Sequence, residues 1–134
     1  MTEKEIKQEF MLNRLDDFKT LLKSPKLRVY AFEFPLEIDG TTKFADVILI
    51  NENKEKFREQ QMIVMEFKKN KISYGPIDQL HMYVNNIHNK LYRKNKTIGI
   101  LVAPEFSNYE IEQCKKYGYH ALLLDSKFNM KFLC

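Results

Sequence analysis

The stretch Phe44–Asn70, FADVILINENKEKFREQQMIVMEFKKN, decides how this chain folds. It holds two apolar runs, Val47–Ile50 and Met62–Met65, with a polar loop, Asn51–Gln60, between them. An acid borders each run: Asp46 precedes the first and Glu66 follows the second, with Lys68 one residue further on. Short apolar runs rich in branched residues read as strands, and the loop joins them as an antiparallel hairpin. If the loop is centred near Lys56 and no bulge intervenes, partner numbers sum to about 112, which sets Asp46 opposite Glu66.

Directly opposed residues share a face, with Cβ atoms roughly 4.5–5.5 Å apart. Lys68, two residues beyond Glu66, lies on that face as well, because strand side chains alternate with period two. Two carboxylates so close raise one another's pKa unless a cation lies between them. Magnesium suits such a place: it takes oxygen ligands at about 2.0–2.1 Å, keeps several waters and is often held by one or two carboxylates plus a substrate phosphate. A lysine alongside can hold or deprotonate a water aimed at that phosphate. The alternative is a salt-bridged solvent face, since a bulge would shift the register. Against it, Asp46 is bracketed by Phe44-Ala45 and Val47–Ile50, core-strand sequence in which an unpaired acid is costly.

Outward from the hairpin, residues 2–24 read as one helix with Thr2 as N-cap and Glu5 at the capping-box position. Its stripe is Ile6, Phe10, Leu15, Phe18 and Leu22, and Ser24-Pro25 ends it. LRVYAFEFPLEI reads as strand, and Asp39-Gly40-Thr41-Thr42 as a hairpin turn. Beyond Lys68, Pro76 suits a first helical turn, and Ile77, Leu80, Val84, Ile87 and Leu91 recur at helical steps. TIGILVAP is a buried strand, residues 107–118 a helix capped by Ser107 and stopped by Gly118, YHALLLD another buried strand, and KFNMKFL an edge strand. The expected fold is α/β, a mixed sheet flanked by helices in αβββαβαβ-type order, with the later strands parallel through crossover helices. The 134 residues are read as a single domain.

A hydrophobic share of 44% with ten Phe and seven Tyr excludes a disordered chain. The apolar runs are too short to span a bilayer, and the charged opening MTEKEIKQEF lacks the apolar segment of a signal peptide. A cytoplasmic protein without a membrane partner is expected. Cys114 and Cys134 show no zinc or redox spacing and are read as free thiols. The net charge of +4 is compatible with a polyanionic partner without requiring one.

Asp46 followed by Glu66-Phe67-Lys68 resembles the D…(D/E)xK signature of the PD-(D/E)XK nuclease superfamily. Gln79 and Tyr83, four apart on one helical face, look like the QxxxY motif of RecB-like nuclease domains. From Phe44 to Asp125 the chain is similar to the catalytic domain of NucS-like endonucleases, in which an ExK strand likewise leads into a "DQL..Y" helix and an "ILVAP" strand. The resemblance implies a restriction-endonuclease-like fold and a DNA-hydrolysing site. In it Asp46, Glu66 and the backbone carbonyl of Phe67 bind Mg²⁺ or Mn²⁺, Lys68 positions the attacking water, and Gln79 and Tyr83 support the metal site or touch the DNA backbone. The family often adds an acid from the first helix; Glu9, which borders the apolar stripe, is the choice, with Glu5 next. NucS-like enzymes carry a separate N-terminal DNA-binding domain, for which no counterpart is expected in this sequence, so their preference among branched or mismatched DNAs is not carried over. In outline the chain is closer to compact junction-resolving nucleases that act as dimers, which leaves a homodimer open.

Lys69 and Lys71, beside the expected site, and the basic cluster with Arg93 and Lys94 are candidates for DNA phosphates; for the cluster, complementing a helix C-terminus is the competing reading. His81 and His88 share a helical face but lack a third ligand, and His120 is read as structural. The expected activity is metal-dependent hydrolysis of DNA phosphodiesters by an endonuclease acting on structured or branched DNA. A non-catalytic nucleic-acid- or protein-binding module on the same fold is the alternative, and a dimeric structural component a third.

Overall fold

The computed structural model describes residues 1–51, 61–70, 75–91 and 96–134. Its centre is the hairpin read from the sequence. Strand β2 (Thr41–Asn51) pairs antiparallel with β3 (Gln61–Phe67) from Val47↔Met65 to Asn51↔Gln61, so every rung sums to 112 as expected. Strand β1 (Leu27–Ile38) joins the other side of β2 through Asp39 and Gly40, whose φ values of +52° and +77° are those a two-residue primed turn demands.

Beyond β3 the connections become crossovers. Helix α3 (Pro76–Leu91) returns the chain to β4 (Lys96–Ala103), parallel to β3, and α4 (Asn108–Tyr117) returns it to β5 (His120–Leu124), parallel to β4. Strand β6 (Met130–Phe132) closes the far edge antiparallel to β5. The six strands stand in sequence order, a mixed sheet whose two faces carry separate cores. Ser107 caps α4 by accepting the Glu110 N–H, and Gly118 ends it at φ +74°. Among the described residues no helix is long and apolar enough to cross a membrane, and Cys114 and Cys134 are free thiols.

One core layer, beneath α3, joins Ile77, Leu80, Val84 and Ile87 to Ile48, Ile50, Met62 and Val64. Gly99 on β4 makes that packing close: a Cβ there would lie 3.0 Å from Leu80 Cγ and 3.1 Å from Val84 Cγ2. Gly99→Val is therefore expected to cost about 1–3 kcal/mol by overpacking, read as a lower urea midpoint at unchanged slope.

The other layer lies under the N-terminal helices, and here the structure differs from the reading. Residues 2–24 are not one regular helix: α1 (Glu3–Glu9) passes through a π-helical turn (Phe10–Arg14) into α2 (Leu15–Leu22). The stripe explains it. Phe10 and Leu15 are five apart, a step that overshoots a 3.6-residue period but fits an i→i+5 turn. The extra residue keeps Phe10 and Phe18 fully buried on one side, with Leu15 partly buried against the same core. Phe10 also packs edge-on against Phe67, ring centroids 5.1 Å apart, which clamps the strand end carrying Glu66 and Lys68.

Candidate active site

The sheet forks at Asp46. The β2–β3 ladder stops at Val47↔Met65, yet β1 stays paired with β2 down to Ile38↔Thr41 and β3 with β4 up to Phe67↔Val102. The outer hairpin thus peels away from β3. Both its strands lose one step of alternation here: Ala31 and Phe34 on β1, and Ala45 and Ile48 on β2, pack into the same layer although each pair is three apart. On β1 the break falls at Glu33, a non-glycine residue at φ +52°, on the rung that the flanking pairs Phe32↔Val47 and Phe34↔Ala45 set opposite Asp46.

Across the fork, side chains replace the missing ladder bonds. Asp46 Oδ2 accepts the Phe67 N–H at 2.8 Å, and Glu66 Oε1 accepts the Asp46 N–H at 3.0 Å. Each carboxylate is thereby locked by the other's strand and keeps a second oxygen. In extended backbone a residue's N–H and C=O point to one side, so the Phe67 carbonyl opens into the same fork. The Lys68 N–H is bound to the Val102 carbonyl at 2.8 Å, which holds the strand end on β4.

Helix α3 completes the arrangement. Lys68 Nζ donates to Gln79 Oε1 at 3.5 Å, and Gln79 Nε2 donates to Tyr83 Oη at 3.0 Å. Pro76 starts the helix so that Gln79 and Tyr83, one turn apart, face the Lys68 side of the sheet. Asp46, Glu66, Lys68, Gln79 and Tyr83, named from the sequence, therefore meet at one place.

The electrostatics are those of a place short of positive charge. Glu66 is 3% exposed, and burial first, then the charge of Asp46, pushes its carboxyl up to about 9. Burial and the charges of Glu66 and Asp46 likewise raise the Tyr83 phenol, so it stays a neutral hydrogen-bonding group. Among the described residues no group of three or more Asp, Glu, His or Cys side chains converges to hold a metal ion. A cation here would rest on two carboxylates, with main-chain and water oxygens completing its shell, a donor set suited to magnesium or manganese.

The first helix supplies a different residue from the one chosen. Glu9 is not brought to the fork: its carboxylate accepts from Asn13 Nδ2 at 2.8 Å and faces Arg14 Nε at 3.6 Å, on its own helix. Glu5 is engaged in the capping box with Thr2. Lys7, two positions before Glu9 and so about 200° around the helix, is the side chain that arrives. Its ammonium donates to Asp46 Oδ1 at 2.7 Å and to Glu33 Oε1 at 3.4 Å. Burial alone would lower the Lys7 pKa, but the two carboxylates outweigh it and hold it above the usual lysine value.

Lys7 and Glu33 escaped the sequence reading. The available signals were that Lys7 sits three before Phe10, at the edge of the buried stripe, and that Glu33 stands alone between Phe32 and Phe34. Lys69 is exposed next to Lys68, and both line a cleft of about 250 Å³ with Phe67, Val102 and Phe128 at the carboxyl ends of the parallel strands. Lys71, Arg93 and Lys94 lie outside the described residues. The histidines go elsewhere: His81 bonds Tyr119 Oη at 2.7 Å, His88 Thr97 at 3.3 Å, and His120 the Cys134 carbonyl at 3.1 Å.

Strand order and flanking helices define a mixed α/β fold, a six-stranded sheet covered by helices, and solved structures of repair endonucleases share it. A repair endonuclease from Pyrococcus abyssi superposes with a TM-score of 0.62 at 20% identity over 87% of this chain and 46% of that one. EndoMS in its apo form superposes with a TM-score of 0.60 at 20% identity over 93% of this chain and 47% of that one. An EndoMS–dsDNA complex gives 0.57 at 20% identity over 87% and 44%. The chain thus spans less than half the length of these three endonuclease chains. No protein-family model matches it.

Proposed function

We propose that this chain is a divalent-metal-dependent deoxyribonuclease, an endonuclease on structured or branched DNA. The observation that supports this best is the fork at Asp46, where two strand-locked carboxylates meet and burial, with the charge of Asp46, pushes the Glu66 carboxyl up to about 9. Held by Asp46, Glu66 and the Phe67 carbonyl, Mg²⁺ or Mn²⁺ would stabilise negative charge on the phosphoryl oxygens and lower the pKa of bound water. The rest falls to the chain itself. Lys68, steadied through Gln79 by Tyr83, orients a water in line with the phosphorus. The water oxygen bonds phosphorus as the opposite P–O ester bond breaks; the attacking water gives a proton to solvent and the departing oxygen takes one from solvent to leave as a hydroxyl. Lys69 stands where it can neutralise a neighbouring phosphate. That EndoMS has been seen with double-stranded DNA supports DNA as the substrate class.

The test is cleavage of labelled linear, flapped, splayed and four-way DNAs. Cutting of at least one branched form in Mg²⁺ or Mn²⁺, and none in chelator, is the expected pattern. No cutting of any DNA with either metal would overturn the reading.

One contact favours a second reading. Lys7 already neutralises Asp46 without a metal, as a non-catalytic DNA-binding module on this fold would need. Such a module binds DNA with strong salt dependence and has no use for a divalent cation, so metal titration separates the two.

A further inference from the structure

Asp46 has two oxygens, and they have different fates. Oδ2 is spent on the Phe67 N–H, so Oδ1 is the one left to face a cation, and Lys7 Nζ holds it at 2.7 Å. This is no chance surface pair. Lys7 is 8% exposed, and its ammonium stands 5.6 Å from the centre of the Phe32 ring. Beside it waits a second acceptor, Glu33 Oε1 at 3.4 Å, on the rung opposite Asp46 and presented by a left-handed backbone.

We propose that Lys7 is a resident counter-cation of this site, which occupies Asp46 Oδ1 in the metal-free protein and moves to Glu33 when a divalent cation binds. The inference rests on the metal-site reading above and adds to it the residue that sets metal affinity. A charge of +1 at 2.7 Å balances the Asp46 carboxylate, which would otherwise stand part-buried at the fork without a counter-charge on Oδ1. A divalent cation gains more from the two carboxylates together, but must displace the ammonium and tolerate it nearby. Glu33 lowers the cost of that displacement, because the buried ammonium keeps a carboxylate partner instead of being left unpaired.

Calorimetric titration of MnCl₂ and MgCl₂ into the full chain at one fixed pH tests this. Lys7→Met and Lys7→Gln, which remove the charge while keeping the stem, are each expected to bind the cation at least about tenfold more tightly than the parent. Glu33→Gln, which takes away the second acceptor, is expected to bind it severalfold more weakly. Thermal melts confirm that each variant is folded. If the parent binds metal and both Lys7 variants bind no more tightly, the counter-cation role is wrong while the metal site stands. If neither the folded parent nor the folded Lys7 variants take up either cation, the metal site itself is wrong and this inference goes with it.

Discussion

Asp46→Asn, Glu66→Gln and Lys68→Ala are each expected to lower DNA cleavage by about 10²–10³-fold or more, with folding retained. Each removes a different element. Asp46→Asn keeps the size of the side chain, and its amide oxygen can still accept the Phe67 N–H, but the charge at Oδ1 is gone. Glu66→Gln keeps the bond to the Asp46 N–H and removes the ability to become a carboxylate beside a cation. Lys68→Ala leaves both acids in place and deletes the amine that reaches Gln79. Loss of cleavage in all three, with circular dichroism and DNA binding close to the parent's, identifies a catalytic centre and not a fold defect. Cleavage at the parent's rate in all three would place the chemistry elsewhere. A graded outcome is also informative: Gln79→Ala, one step removed from the reacting groups, is expected to reduce the rate less than Lys68→Ala, because it positions the amine without replacing it.

The parts of this centre that are legible in the sequence depend on regular periods. Rungs summing to 112 follow from two alternating runs and a loop of fixed length, and the pairing of Gln79 with Tyr83 follows from a helix whose phase Pro76 sets. What escapes depends on irregularity. A π-helical turn is visible beforehand only as the five-residue step from Phe10 to Leu15, which reads equally well as a loosely patterned α-helix. Lys7 reaches Asp46, and Glu9 does not, because of how α1 is rotated over the sheet, a property of tertiary packing. Glu33 joins them because both outer strands lose one step of alternation at the same rung, and no local preference for a left-handed glutamate announces it. The family resemblance implies an acid from the first helix, and the charge that arrives has the opposite sign.

The second large effect is on stability. In chelator, the metal-free protein is expected to lose stability steadily as pH rises from about 5 to about 8.5. Glu66 would ionise near 4.5 in the unfolded chain, whereas in the fold it is pushed up to about 9, first by burial and then by Asp46. Between those values the folded state holds a proton that the unfolded state has released, so its contribution is complete below the lower value and is lost as pH climbs towards the upper one. The slope from one such group is on the order of 1.4 kcal/mol per pH unit, enough to dominate a small domain's urea midpoint. Glu66→Gln, which cannot ionise, is expected to flatten that slope and to be more stable than the parent at pH 8. Divalent metal acts in the opposite sense: it binds the ionised carboxylate, so the gain in melting temperature on adding Mn²⁺ should be larger at pH 8 than at pH 5. Equal slopes for parent and Glu66→Gln would mean that Glu66 is already ionised in the metal-free fold. Lys7 and Lys68 would then suffice to hold both carboxylates charged, and the fork would have no electrostatic need of a metal.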